Sequence, residues 1–186
     1  ELDELLLWRY GQSPDGLAAL QQLLELRVLD ALADEEKIEI SSRDLTRRWS
    51  ELEADIQSSG VAADLPAYLA ESGITRETFL EYLRLALVHE ALTRSALGLE
   101  PEDPVTAEQQ STWLETTLAG RGVERLPHPW DDGLVIRSEA VEITRADYAL
   151  HLRKMLPPDD LTSACHQLIL QQRLRARMPD LSPKAM

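Results

Sequence analysis

His89-Glu90-Ala91-Leu92-Thr93 begins like the zinc-protease pattern H-E-x-x-H, whose two histidines grip one metal from the same face of a helix. Position 93 is Thr, so the second ligand is missing and His89 reads as a helix-surface residue. His128, with Asp131 and Asp132, forms a second cluster that could ligate a metal or run acid–base chemistry. A metal needs three or four converging ligands, and nothing in this loop forces convergence. Cys165 next to His166 offers a nucleophile and a base, but adjacent helical residues point in different directions. It is the single cysteine, so no intramolecular disulfide can form, and a small buried apolar role is expected for it. His151 stands alone on a helix. No nucleophile elbow, phosphate loop or dinucleotide fingerprint occurs. The expectation is a chain with no catalytic residue, no metal ligand and no cofactor.

With no catalytic site in view, the sequence points to binding over chemistry, and composition bounds the fold and the partners. Hydrophobic residues make up 44% of the 186, enough for a packed core, while aromatics are 5%. Leu dominates the large apolar residues, which favours helices over a β-sandwich. Lys plus Arg is 19 against 33 Asp plus Glu, a net charge of −14. Such a chain repels phosphate backbones and anionic lipid, so nucleic acid is not an expected partner. No apolar run approaches the roughly 18 residues of a membrane-spanning helix. The chain opens on Glu1-Leu2-Asp3 with no initiator Met and already in helical rhythm, so a processed or trimmed product is expected.

The elements can be placed by their punctuation. A first helix covers Leu2 to about Tyr10, and Gly11, Ser13, Pro14 and Gly16 mark a break. A second runs from about Leu17 to Ala33, with Leu17, Leu20, Leu24 and Val28 along one face. Glu35 to Lys37 read as a polar connection. Ser41 or Ser42 caps a helix carrying Trp49, Leu52 and Ile56, which Ser58 to Gly60 stop. A short helix lies around Leu65 to Leu69. Thr75 then caps a helix with an unusually wide apolar face. Phe79, Tyr82, Leu83 and Ala86 form one stripe, widened by Leu80 and Leu87, and Leu85, Val88 and Leu92 form another. A helix of this kind is contacted from two sides. Either it is a central bundle helix, or one side lines an open groove.

Pro101 to Pro104 form an acidic linker. Thr106 with Gln109 fits a capping box for a helix carrying Trp113, Leu114 and Leu118. Trp130 sits in the polar loop Pro127 to Gly133. Leu134-Val135-Ile136 and Val141 to Ile143 flank a turn and predict a hairpin. Thr144 with Asp147 opens a helix through Leu152, and a last helix runs from about Asp159 to Met178. Residues 19–24, Ala-Leu-Gln-Gln-Leu-Leu, echo residues 164–169, Ala-Cys-His-Gln-Leu-Ile, in the same order of short helix, break and long helix. A duplicated unit accounts for this. The first copy lacks a hairpin, which suggests that residues preceding Glu1 are missing.

Two stretches carry a resemblance. In Ser138-Glu139-Ala140-Val141-Glu142-Ile143-Thr144, strand, turn and helix start come in the order of a phrase usually written N-G-x-x-I-T, here without its Asn-Gly. Gly73-Ile74-Thr75-Arg76-Glu77-Thr78-Phe79 matches a Gly-hydrophobic-[ST]-x-E-x-[FL] phrase. Together they make the chain similar to the chaperone module of SurA-type proteins, the parent family of many PpiC-type parvulins. The resemblance spans most of residues 15–98 and 134–178. It implies a peptide-binding helical module of the cell envelope, periplasmic or exported, with a cytoplasmic location left open. The parvulin isomerase domain of that family has no counterpart, because the segment from Leu99 to Asp132 is too short for one.

The resulting expectation is a mainly α, composite helical bundle with one small β-hairpin. It has a helical unit at residues 1–100, a linker with one helix at 101–133, and a second copy at 134–186 packed on the first. Its expected function is non-catalytic binding of apolar or unfolded polypeptide segments through a groove beside the Phe79–Leu92 helix. Phe79, Tyr82, Leu83, Leu85, Val88 and Trp130 are the candidate contacts. The alternatives are an enzyme or small-ligand protein using the His128–Asp132 loop, and a structural domain that forms a homodimer.

Overall fold

A computed structural model describes residues 1–100, 102–130 and 133–177, with side chains through 174. The chain is mainly helical with a small three-stranded antiparallel sheet. Its helices are α1 (Leu2–Tyr10), α2 (Pro14–Glu36), α3 (Ser42–Ser59), α4 (Leu65–Glu71), α5 (Arg76–Leu97), α6 (Ala107–Gly120), α7 (Arg145–Met155) and α8 (Pro158–Arg177). The strands β1 (Glu124–Arg125), β2 (Leu134–Arg137) and β3 (Glu142–Thr144) fall between α6 and α7.

Side-chain caps set most of these boundaries. Ser41 accepts from the Asp44 amide at 3.2 Å, and Thr75 from the Thr78 amide at 3.2 Å. Thr106 and Gln109 close a reciprocal capping box, and so do Thr144 and Asp147. Each cap satisfies amides that the first helical turn leaves without partners. Gly60 and Gly98 end α3 and α5 in the left-handed conformation, where a Cβ would be strained. The second helix begins earlier than the break at Pro14 suggests. Proline fits the first turn, where its missing amide costs nothing, and Ser13 Oγ accepts from the Gly16 amide at 3.0 Å.

The chain divides into two compact units, Glu1–Glu25 with Val123–Met186, and Leu26–Gly122. These boundaries fall inside α2 and just after α6. Helix α2 is therefore shared, its first part in one unit and its second in the other.

In the first unit, α1 packs against α7 and α8, and the sheet packs against α7. Leu5, Leu6 and Leu7 of α1 are buried with Val135, Ile136, Ile143, Tyr148 and Leu152. The β2–β3 register is irregular between Leu134 and Ile136, so the consecutive residues Val135 and Ile136 are both buried. Ser138 holds the turn, its hydroxyl accepting from the Val141 amide at 2.9 Å. The pairing of β1 with β2 adds a strand that the expected hairpin lacks.

At the centre of this unit the Tyr148 phenol reaches the carbonyl oxygens of Gly16, at 2.6 Å, and Gly11, at 3.1 Å. Both glycines are required by close backbone approach. A Cβ on Gly16 would lie 1.8 Å from the Tyr10 carbonyl oxygen, and one on Gly11 would lie 2.3 Å from that of Leu7. The sequence signals that read as a break between two helices are thus a packed joint.

In the second unit, α5 is the central helix, in contact with α3, α4 and α6. Val28, Leu29, Leu32, Leu65, Leu69, Leu83, Leu85, Val88, Leu92 and Leu114 form its core. Arg84 pairs with Asp30, and Arg121 grips Glu35 through two hydrogen bonds at 3.1 and 2.8 Å. That fork holds the Glu35 carboxyl below its ordinary range.

Candidate functional site

Among the described residues, His89, His151 and Cys165 lie on different helices, and His128 lies in a loop. His89 Nε2 lies 3.1 Å from the Gln110 carbonyl oxygen, and its ring is tilted 5.5 Å from that of Trp113. It fastens α5 to α6. Thr93, where a second zinc ligand would stand, is fully buried. His151 is buried, and its pKa is held below the ordinary value by loss of water and by Lys154. His128 is exposed and edge-on to Trp130 at 4.9 Å, while Asp131 and Asp132 lie outside the described residues. Among the described residues, no group of three or more His, Cys, Asp and Glu side chains is gathered as a metal ion would need. Cys165 is exposed, contrary to the buried role expected of it. Its neighbour Ala164 turns into the core instead, because α8 has one covered face and position 164 lies on it.

The six candidate contacts divide sharply. Leu83, Leu85 and Val88 are 5%, 8% and 0% exposed, so they are core residues of the second unit. Trp130 is 3% exposed and belongs to the first unit. Its indole N–H donates to the Leu126 carbonyl at 3.0 Å, and its ring meets Tyr148 at 5.9 Å. Its left-handed backbone, at φ 58°, costs a bulky residue on the order of 1 kcal/mol, which this burial offsets. It is unavailable to a partner. Phe79 and Tyr82 are half-buried, as are Leu80 and Leu87 on the same helix.

No protein-family model, curated protein or solved structure matches this chain.

The wide apolar face of α5 therefore has two fates. Leu83, Leu85, Val88 and Leu92 are sealed, whereas Phe79, Leu80, Tyr82 and Leu87 keep part of their surface in water. Helix α3 carries Leu45, Trp49, Leu52 and Ile56 at helical spacing, and not one residue of this helix is buried. Trp49 meets Phe79 edge to face at 5.7 Å, and the Arg76 guanidinium lies 5.3 Å from the Trp49 ring centroid. Farther along, Arg47, Arg48 and Glu51 of α3 and Leu87 and Glu90 of α5 enclose a depression of about 270 Å³. Leu87 is its apolar lining, and charged stems form the rest. Arg48 is 3.2 Å from Glu51, an exposed pair that contributes little stability and can rearrange. The surface thus combines half-covered aromatic and aliphatic groups with a charged rim. Trp49, Leu52 and Ile56 were legible as a helical face, but nothing local reveals that this face stays wet.

Proposed function

We propose that this chain binds apolar or unfolded polypeptide segments without catalysis, in the manner of the SurA-type chaperone modules it resembles, on the α3/α5 face of its second unit. One observation carries the reading. An entire amphipathic helix, α3, contributes no buried residue, although Leu45, Trp49, Leu52 and Ile56 share one side of it. Each keeps part of its surface in water, as do Phe79 and Tyr82. Apolar surface left in water is a standing cost of about 25 cal/mol per Å², recovered when a partner covers it. The net charge of −14 keeps such a surface soluble and steers basic segments toward it. The resemblance brings a cell-envelope setting with it.

Suppression of aggregation of an unfolded client, compared between wild type and Phe79→Ser/Tyr82→Ser, tests this. The double variant is expected to lose most of the protective effect while keeping its helical circular dichroism. Undiminished protection by a folded double variant would remove α5 from the binding surface.

Self-association is a second reading, favoured by α8. Ile169, Leu170 and Leu174 are 44%, 58% and 46% exposed on one helix. Light scattering separates the two readings, because a dimer sealed through α8 would dissociate in Ile169→Glu/Leu174→Glu and leave client binding at α3/α5 intact.

A further inference from the structure

Asp15 and Asp160 each lie in the first turn of a helix that begins on a proline, Pro14 for α2 and Pro158 for α8. First-turn carboxylates ordinarily do no more than offset the helix dipole. What sets this pair apart is the space between them. Within the first unit, the start of α2, the end of α7 and the start of α8 border a trough of about 540 Å³. Its floor includes Ala19, Leu152 and Leu156, all buried. Ala18, Pro157 and the 42% exposed Met155 continue the apolar lining to the rim, and Gln22 joins the two carboxylates as its polar part.

The sequence explains the hollow. Ala18 and Ala19 are too short to fill the side of α2, and the Pro157-Pro158 break turns the chain away before another side chain can cover it. Met155 is unbranched and can reshape around what enters. The Tyr10 hydroxyl donates to Asp160 Oδ1 at 3.1 Å and fixes that carboxylate in place. Among the described residues, neither Asp15 nor Asp160 has an Arg, Lys or His partner.

We infer that this trough is a second binding site, which takes a polypeptide segment carrying an arginine or lysine next to an apolar side chain. The apolar floor removes the aliphatic side chain and the cation's stem from water, and the carboxylates at the rim receive its charge. A size of several hundred Å³ suits a few side chains and is far from the flat surface of a whole-domain interface. Charge complementarity excludes acidic segments, because two like charges would be brought together over an apolar floor. The site lies in the other unit from the α3/α5 face and does not depend on it.

Fluorescence anisotropy with a short labelled peptide alternating leucine and arginine tests the assignment on the full chain. Asp15→Asn/Asp160→Asn keeps the shape of both side chains and is expected to weaken binding about tenfold, the scale of one partly desolvated charge pair. Asp34→Asn/Glu36→Gln removes the same charge elsewhere and is expected to change binding less than about twofold, as diffuse attraction predicts. Replacing the peptide's leucines by serine, or its arginines by glutamate, should abolish binding at the trough. Ala18→Arg plants a cation on the rim and should block it, independently of how the double variant folds. Equal losses in the two charge-neutralised variants would reduce the effect to net charge and overturn the site. Unchanged binding in Ala18→Arg would do the same. Competition by hexylamine as strong as that by unlabelled peptide would overturn the commitment to a polypeptide. Repeating the series in the Phe79→Ser/Tyr82→Ser background removes the contribution of the α3/α5 face, and the losses in Asp15→Asn/Asp160→Asn and Ala18→Arg should persist there, so failure at one face is distinguishable from failure at the other.

Discussion

Tyr148 shows how much one side chain settles. It is fully buried, it packs on Trp130, and its hydroxyl serves two backbone carbonyls at the joint between α1 and α2. Tyr148→Phe leaves those carbonyls without their donor and should cost about 1–2 kcal/mol in denaturant unfolding. Burial pushes the phenol up to about 12. In the unfolded chain it titrates near its ordinary value of 10.0. The folded state therefore holds a proton that the unfolded state releases. The stabilisation is complete below pH 10 and drains away as pH rises toward 12. Tyr148→Phe should flatten the alkaline limb of the stability curve over that interval, and an unaltered limb would assign the burial to another group. His151 works in the opposite direction. Its folded pKa is depressed by burial, so the unfolded state gains a proton first as pH falls below the ordinary histidine value. Stability present above about pH 6.5 is lost on acidification, and His151→Gln should lessen that loss.

At the scale of elements, the legible parts were those set by neighbours in sequence. Ser41, Thr75, Thr106 and Thr144 each cap the helix expected of them, because a hydroxyl and an amide three residues apart meet without help from the rest of the chain. The hairpin was legible for the same reason, through its alternation and turn. Strand β1 was not, since its two residues are held by pairing with a distant β2. Nor could local pattern distinguish the sealed side of α5 from its wet side, because Leu85 and Phe79 differ only in what lies opposite. The same blindness hid the burial of Trp130 and the exposure of Cys165. Helix α5 also carries a cost unrelated to capping or periodicity. Thr93 is completely buried, and its hydroxyl has no hydrogen-bond partner. Thr93→Val keeps the shape and removes the unsatisfied group, and should raise stability by about 1 kcal/mol in chemical denaturation. A loss of stability would mean the hydroxyl has a partner after all.

At the scale of the whole molecule, the echo between residues 19–24 and 164–169 separates pattern from environment. Ala19 and Ala164 are both buried, but Leu24 is 2% exposed where Ile169 is 44%, and Leu29 is 5% where Leu174 is 46%. The long helix α2 carries one buried face from Ala19 to Ala33, whereas α8 packs chiefly on α1. Similar residues thus build a core at one end and a free face at the other. Leu24→Asp should abolish cooperative unfolding by leaving a charge in the core, while Ile169→Asp should cost little. The interleaving of the first unit also has a temporal consequence. Leu5, Leu6 and Leu7 are synthesised before the second unit, yet Tyr148 and Leu152, buried in the same unit, follow only after it has been made. At ribosomal speeds of about 5–20 residues per second, helix α1 waits on the order of ten seconds for its partners with its leucines bare. A nascent chain stalled before residue 143 should therefore recruit holdases, and one released past residue 177 should not.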